Sequence, residues 1–346
     1  MKVGELMQKS IQNLRKTNKE KVLKVLYELG QCQKSQIVEL TSLSSGTCHN
    51  ILQELIESKE VVMNSKFAST GGRKAKCYEL NPDYCQLLTI SFFREYDDIY
   101  DIMKVYDYQN HLLEEKKSQP KKLNFQELLN NIHSMFEKYQ NIQVIMIAIP
   151  AILNEQGYLD ESFLVRGLED LKNCQIQQEI QAQFHVPVII DNDVNIATKG
   201  YYSKHQEYKD LAMIYQPLKE LSGVGILQGG HIHSGHHGMA GELSFLPGLS
   251  KQQQFEYLKT KEGTLQLLTI FILTLLVTVD PETIVISCPW IEERQKIEEN
   301  LQKTMLSKEV LPHIVVVEDI LKYMNLGLLE LGHEFLRGGR NNGKIY

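Results

Sequence analysis

The sequence predicts an α/β protein that carries a winged helix-turn-helix in front of a larger, two-lobed body. Before residue 80, two short helical segments flank a Ser/Gly-rich turn and precede a Gly-Gly-Arg hairpin. Beyond residue 85, apolar strands alternate with helical stretches, which is typical of α/β folds. Asn81-Pro82 marks the boundary, so we predict domains at 1–80 and 85–346.

The N-terminal segment contains the signals of three helices. An apolar stripe from Val22 to Leu29 has helical spacing and ends at Gly30. The next two helices are predicted over 34–41 and 45–58. Three hydroxyl residues are predicted to cap the successive helices, namely Thr17 (in a capping box with Glu20), Ser35 and Ser44.

A basic hairpin is predicted after the third helix. Segments 61–63 and 76–80 have the composition of strands, and the loop between them contains Gly71-Gly72-Arg73-Lys74. The glycines permit positive φ angles, and the two basic side chains project from the loop. Three short amphipathic helices alone could equally form a protein-binding module or a domain cap. The basic hairpin favours DNA as the partner.

In a helix-turn-helix, the N-terminal part of the later helix enters the major groove and presents side chains to base edges. The candidates for this contact are Ser45, Thr47, His49, Asn50 and Gln53. Asn50 and Gln53 carry amides that can bond adenine in a bidentate manner. Lys34 is placed for a phosphate contact, and Arg73 and Lys74 project from the hairpin toward the DNA.

The charge distribution agrees with a DNA-binding head. Residues 1–80 hold 13 Lys and Arg against eight Asp and Glu, whereas the remainder holds 24 against 35. The basic head and acidic body indicate contact with nucleic acid at one end only. The six cysteines form no C-x-x-C pair and no signal peptide precedes them, so we expect reduced thiols and a cytoplasmic protein. The apolar run 265–277 suits a buried core helix, and no membrane role is expected.

The body is predicted as alternating strands and helices in two lobes. The strands are expected at 87–93, 144–149, 186–190, 211–215, 224–227, 284–287 and 313–317. The helices are expected near 124–139, 171–184, 195–203, 254–279 and 320–336. The lysine pairs around Pro120, 116–117 and 121–122, are expected in a solvated loop.

Polar residues at strand ends mark a candidate binding cleft. The strand before Asn192-Asp193 runs directly into a helix, which places an amide and a carboxylate where α/β proteins bind ligands. Glu242, in the segment Gly-Met-Ala-Gly-Glu, is a second carboxylate able to accept a hydroxyl proton. Glycines around the strand 222–230 allow close backbone approach. These residues could alternatively do no more than stabilise strand ends and a turn.

With these motifs in hand, the chain resembles the ROK family (repressors, open reading frames and sugar kinases) over its full length. The Gly-Gly-Arg hairpin, the Asn-Asp element and the Gly-Met-Ala-Gly-Glu element, in this order, place it in the transcriptional-regulator branch, with repressors of the xylose and N-acetylglucosamine type. The resemblance implies an actin-like, sugar-kinase-type body with two lobes. One lobe comprises 85–195 together with the C-terminal helix, and the other comprises 196–332. It also implies that Asn192, Asp193 and Glu242 contact sugar hydroxyls.

The chain departs from the family's kinases at two places. Those kinases have an Asp-x-Gly-Gly-Thr loop that holds ATP phosphates, whereas no glycine occurs here between Gly72 and Gly157. Phe245 stands where the family places a zinc-binding histidine, and no cysteine follows before Cys288. We therefore expect no catalysis, no cofactor and no metal. The histidines of segment 231–237 are interpreted as a polar loop.

These observations predict a repressor of carbohydrate genes that binds a palindromic operator as a homodimer or a dimer of dimers. A sugar or sugar phosphate in the cleft would change the angle between the lobes and the spacing of the two heads. One alternative is a hexose kinase with an added DNA-binding head. Another is a regulator without an effector, controlled by a protein partner.

Overall fold

The computed structural model describes most of the chain. The described residues are 2–64, 76–95, 98–118, 124–154, 156–160, 167–218, 220–291, 294–304 and 310–338. Their strands form three sheets, one in the N-terminal 80 residues and two in the remainder. Arg73 and Lys74, predicted in the basic hairpin, lie outside the described residues.

The described part of the first 80 residues contains three helices and a small antiparallel sheet. The elements are α1 (Lys2–Leu29), β1 (Gln31–Gln33), α2 (Lys34–Thr41), α3 (Ser45–Glu57), β2 (Val61–Asn64) and β3 (Cys77–Leu80). Strand β3 lies between β1 and β2 and pairs antiparallel with both. The helices enclose a core in which Leu26, Ile37 and Leu52 are fully buried. The predicted second and third helices are thus confirmed.

Two of the three predicted helix caps are wrong. Thr17 lies inside α1, where its hydroxyl donates to the carbonyl of Asn13 at 3.1 Å, because a threonine can bond back by one turn instead of ending the helix. Helix α2 is capped by Gln33, which forms a reciprocal pair with Gln36, and Ser35 lies inside the helix. The third cap is confirmed, since the amide of Thr47 donates to Oγ of Ser44 at 3.0 Å.

The first sheet of the body has the strand order β6-β5-β4-β7-β8. Its strands are β4 (Gln86–Glu95), β5 (Asp98–Asp107), β6 (Leu112–Lys117), β7 (Ile142–Ile149) and β8 (Val188–Asn192). Strands β4, β7 and β8 are parallel, whereas β4, β5 and β6 form an antiparallel meander. Helices α4 (Phe125–Lys138) and α5 (Ile176–Phe184) accompany this sheet.

The strands β5 and β6 were not predicted. The polar residues of β5 hide its alternation, and β6 is an edge strand rich in lysine and glutamate. Lys116 and Lys117 end β6, so the prediction of a loop at this pair is wrong. A charged edge strand is common because lysine discourages pairing with another chain.

The second sheet has the strand order β11-β10-β9-β12-β13. Its strands are β9 (Leu211–Tyr215), β10 (Gly223–Gln228), β11 (His231–Ile232), β12 (Thr283–Ser287) and β13 (His313–Val316). Helices α7 (Lys251–Tyr257), α8 (Lys261–Thr278) and α9 (Arg294–Thr304) belong to this half. The single helix predicted over 254–279 is therefore two helices, because Thr260 caps a new one through the amide of Gly263.

Helix α8 is long and apolar enough, by length and composition, to be a candidate membrane span. It is the one such helix in the described part of the chain. Leu268, Phe271 and Ile272 on this helix are fully buried in the core of the second half. Its place in that core agrees with the core helix predicted from the apolar run, since a core helix of a globular protein can have the same length and apolar composition as a membrane span.

Two helices, α6 (Asp193–Tyr202) and α10 (Ile320–Arg337), cross at close range between the sheets. Gly200 and Gly327 lie at the crossing. A Cβ atom on Gly200 would overlap the carbonyl oxygen of Tyr323, and one on Gly327 would overlap that of Ile196. The two backbones can therefore approach only because both positions lack a side chain.

The N-terminal helices share a continuous apolar core with the body. Tyr27 of α1 lies 4.2 Å, between ring centroids, from His333 of α10, and Tyr108 stacks on the same imidazole at 5.1 Å. Nε2 of His333 is hydrogen-bonded to Oδ1 of Asn110 at 2.9 Å. Burial lowers the pKa of His333 to about 3, so this imidazole is neutral at physiological pH.

Candidate functional site

Asn192 and Asp193 lie where β8 ends and α6 begins. Asn192 is the N-cap of α6, because its Oδ1 accepts from the amides of Val194 at 3.0 Å and Asn195 at 3.2 Å. The helix thus starts two residues earlier than predicted. The cap occupies the amide oxygen, so the NH₂ group is what Asn192 can offer to a ligand.

The carboxylate of Asp193 is held in a fixed orientation. Its Oδ1 accepts from the amide of Val194 at 2.8 Å, and the residue is 6% exposed. Burial raises the pKa of Asp193 to about 6, and the nearby Asp191 carboxylate acts in the same direction, against the lowering effect of backbone hydrogen bonds. A carboxyl with this pKa can accept a proton near neutral pH.

Asp191, which was not predicted as a site residue, is a second acid beside Asp193. Burial raises the pKa of Asp191 to about 6, although a hydrogen bond from the backbone of Asn192 at 2.7 Å opposes the shift. Its position in the Asp-Asn-Asp sequence is the signal that could have indicated it. The strand end therefore presents two carboxyls and one amide within three residues.

Glu242 completes the group from the other half of the body. Burial raises its pKa to about 7, the charge of Asp193 raises it further, and Lys251 opposes the shift. Asp193 and Glu242 are more than forty residues apart in sequence, and the charge of Asp193 acts on the pKa of Glu242. No sequence signal indicated that Lys251 acts on Glu242, because Lys251 lies nine residues after Glu242 at the start of α7.

Strand β10 packs against both segments that carry the carboxylates, α6 and the turn before Glu242. A Cβ atom on Gly223 or Gly225 would press against Val194 and Thr198 of α6. Gly241 has φ +90° and lies so close to β10 that a Cβ would overlap the carbonyl oxygen of Val224. The predicted close approach at these glycines is therefore made by other parts of the chain, α6 and the turn before Glu242.

Four of the eight residues predicted to contact DNA lie on one exposed side of α3. Ser45, His49, Asn50 and Gln53 are exposed, while the buried side of the helix packs on the other N-terminal helices. Thr47 is partly buried, and its hydroxyl is hydrogen-bonded to Oγ of Ser44 at 2.8 Å as part of the cap. Lys34, the first residue of α2, is also partly buried.

The segment 231–237, which was interpreted as a polar loop, begins with the short strand β11 (His231–Ile232). His231, His233, His236 and His237 are exposed. Within the ranges that the structure describes, no group of three or more His, Cys, Asp or Glu side chains is arranged to hold a metal ion.

The fold of this chain is similar to that of solved structures described as ROK family proteins. A ROK family transcriptional regulator, homologous to the Escherichia coli MLC protein, aligns over 92% of this chain and 99% of its own with a TM-score of 0.68 and 17% identity. A ROK family glucokinase from Streptomyces griseus, in complex with glucose and AMPPNP, aligns over 70% of this chain and 98% of its own with a TM-score of 0.50 and 16% identity. These similarities define the fold class of the body as kinase-type α/β.

Residues 102–247 match the family model described as ROK family. A xylose repressor from Caldicellulosiruptor bescii is 27% identical over 241 residues, which are 66% of this chain and 58% of that protein. The DNA-binding transcriptional dual regulator NagC of Escherichia coli is 23% identical over 251 residues, 70% of this chain and 60% of that protein. The chain thus matches about three fifths of the length of these curated relatives.

Proposed function

We propose that this chain is a DNA-binding transcriptional regulator, a repressor of genes for carbohydrate uptake or metabolism. Residues 1–80 act as a winged helix-turn-helix that binds an operator. Residues 85–346 act as a sensor of a sugar or sugar phosphate and form two lobes. One lobe comprises 85–195 together with the C-terminal helix, and the other comprises 196–332. The names of the relatives, a xylose repressor and NagC, support this class of function.

The observation that carries the proposal is the polar, exposed side of α3. Ser45, His49, Asn50 and Gln53 share this side near the N-terminal end of a capped helix. Amide side chains there suit bidentate bonds to adenine in the major groove. The opposite side is occupied by Ile51, Leu52 and Leu55, which leaves the polar side as the one that can enter a groove.

The connection between β4 and β5 supports a sensor over a kinase. The two strands pair up to Glu95 and Asp98, so the chain has only Tyr96 and Asp97 between them, and neither is a glycine. A phosphate-binding loop needs several backbone amides that side chains do not block. The absence of such a loop in the sequence argues against ATP binding in the manner of the family's kinases.

The polar groups of Asn192, Asp193 and Glu242 support a polyhydroxylated effector. Asp193 and Glu242 offer carboxylate acceptors, and Asn192 offers amide donors after its oxygen has capped α6. Sugar hydroxyls both donate and accept hydrogen bonds, which matches this combination of groups. Binding between the two halves would couple effector occupancy to the geometry of two heads in a homodimer or a dimer of dimers.

The test is fluorescence anisotropy on DNA from upstream of the gene that encodes this chain, at two salt concentrations. Asn50→Ala and Gln53→Ala should each weaken binding by about 1–3 kcal/mol, as expected for the loss of a base contact. Gln295→Ala, at an exposed position of α9, serves as the matched control and should bind as the wild type does. Failure of the wild type to discriminate this DNA from a shuffled sequence would refute the regulator.

The effector is tested on the same complex. D-xylose, N-acetyl-D-glucosamine and their phosphates are added in turn, and a change in operator affinity names the effector. ATP-dependent phosphorylation of glucose, N-acetylglucosamine and N-acetylmannosamine is measured in parallel, with Asp193→Asn as the control. We expect no turnover, whereas turnover that Asp193→Asn abolishes would establish the hexose kinase instead.

A further inference from the structure

Gln254 is a fully buried amide in the first turn of α7, directly below the segment that follows Glu242. The carbonyl oxygens of Leu243 at 3.1 Å, Ser244 at 3.3 Å and Leu249 at 3.1 Å share the two hydrogens of its Nε2. A single side chain thus holds both ends of the segment 243–249. Burying an amide is costly unless it is hydrogen-bonded, so a fully buried glutamine on this helix calls for an explanation.

The segment that Gln254 holds begins at the residue after Glu242. Glu242 is the N-cap of a short 3₁₀ turn over Leu243–Phe245, and its own carbonyl accepts from the amide of Phe245 at 3.1 Å. Two of the three carbonyls that Gln254 binds belong to that turn. The position of the Glu242 backbone is therefore set by the turn, and the turn is fixed by Gln254.

The other end of the same segment is fixed by the start of α7. Oγ of Ser250 accepts from the amide of Gln253 at 3.3 Å, and Oε1 of Gln253 accepts from the amide of Ser250 at 2.8 Å. Nζ of Lys251 lies 4.1 Å from the ring centroid of Phe245. Lys251 is also the cation that opposes the rise in the pKa of Glu242. The segment is thus a closed unit in which Gln254 supplies the buried hydrogen bonds.

We propose that Gln254 is a positioning residue that fixes the turn after Glu242 and thereby the position of the Glu242 carboxylate. The consequence for ligands rests on the proposed function, in which Glu242 accepts a hydroxyl of a sugar. Without the amide donors of Gln254, the carbonyls of Ser244 and Leu249 lose that donor, while the carbonyl of Leu243 keeps the amide of Leu246. The turn then opens toward solvent to satisfy the freed carbonyls. Glu242 then moves with the turn, and the cleft loses one of its acceptors.

The experiment compares Gln254→Met, which keeps the shape of the side chain but removes its donors, with the wild type. The matched control is Gln252→Met, at an exposed position of the same helix. The reactivity of Glu242 is measured by carbodiimide and glycine ethyl ester labelling with mass spectrometry, with the exposed Glu256 as the internal reference. Calorimetry then measures the affinity for D-xylose and N-acetyl-D-glucosamine.

In Gln254→Met, labelling of Glu242 should rise about tenfold, which corresponds to about 1.4 kcal/mol in the opening of the turn. The affinity for whichever sugar the wild type binds should fall by a similar factor, and Gln252→Met should change neither quantity. Unchanged labelling of Glu242 in a folded Gln254→Met variant overturns the proposal. Increased labelling with unchanged sugar affinity overturns its consequence for the ligand.

The labelling result does not depend on the effector. If the wild type binds neither sugar, sensing of these two sugars fails, while the labelling of Glu242 still decides whether Gln254 positions it. Gln254→Glu provides a second variant in case Gln254→Met does not fold. Its carboxyl donates only when protonated, so the change from pH 6 to pH 8 should raise labelling of Glu242 relative to Glu256 more in this variant than in the wild type.

Discussion

The hydroxyl of Tyr108 donates a hydrogen bond of 3.1 Å to Oε1 of Glu60, which joins the body to the residue that precedes β2. Glu60 is 2% exposed, and its other carboxylate oxygen forms an ion pair of 2.7 Å with Lys19 of α1. The three side chains come from helix α1, the bend before β2 and the turn after β5. A polar network therefore lies within the apolar contact between the N-terminal helices and the body.

Removing the hydroxyl of Tyr108 should loosen this contact. In Tyr108→Phe, the buried carboxylate of Glu60 loses a donor, and the free energy of unfolding should fall by about 2 kcal/mol. Chemical denaturation measures the change. Tyr139→Phe is the control, since Tyr139 also bonds to a glutamate, Glu114, but in a more exposed place where water can replace the lost group. Equal losses in the two variants would contradict a special role for the buried network.

A methyl group at the crossing of α6 and α10 should be poorly tolerated. Gly327→Ala places a Cβ against the carbonyl oxygen of Ile196, so the two helices must separate, and we expect a loss of at least about 3 kcal/mol of unfolding free energy. Gly46→Ala, in α3, is the matched control because its nearest neighbour, Oγ of Ser44, is 3.9 Å away. That variant should be unchanged or stabilised by up to about 1 kcal/mol. Thermal unfolding of both variants distinguishes these outcomes.

The raised carboxyl pKa values in the cleft predict the pH dependence of stability. Asp193 and Glu242 have folded pKa values of about 6 and about 7, above their ordinary values of 3.8 and 4.5. At pH values between the ordinary and the folded pKa of each group, the folded state therefore binds more protons than the unfolded state. Because of these groups, the free energy of unfolding should fall as the pH rises from about 4 to 7.

Asp193→Asn should remove its share of this dependence. The variant keeps the oxygen that accepts from Val194 but cannot ionise, so it should be more stable than the wild type at pH 8 and should lose that advantage at pH 4. Asp170→Asn, at an exposed position, controls for the change in net charge. Denaturation curves at several pH values provide the measurement. A variant less stable than the wild type at pH 8 would show that the charge of Asp193 is needed for folding.

Local sequence patterns predicted the elements that form from near neighbours. The cap at Ser44 and the parallel strands of the body follow from hydroxyl spacing and apolar runs, and both were predicted correctly. Thr17 and Ser35 have the same local signals as Ser44 but lie inside helices. A hydroxyl side chain at a capping signal only competes for the backbone amides. Helix α1 continues past Thr17 because neither glycine nor proline interrupts it between Gly4 and Gly30.

The sequence by itself determined the α/β class, the basic N-terminal segment and the polar strand end at Asn192 and Asp193, because each depends on residues close together in the chain. Only the tertiary structure decided that the charge of Asp193 raises the pKa of Glu242, that Gln254 holds the turn after Glu242, and that Tyr108 reaches Glu60. These relationships join residues from eleven to about fifty positions apart. Their formation depends on how sheets and helices pack, and no local periodicity records that packing.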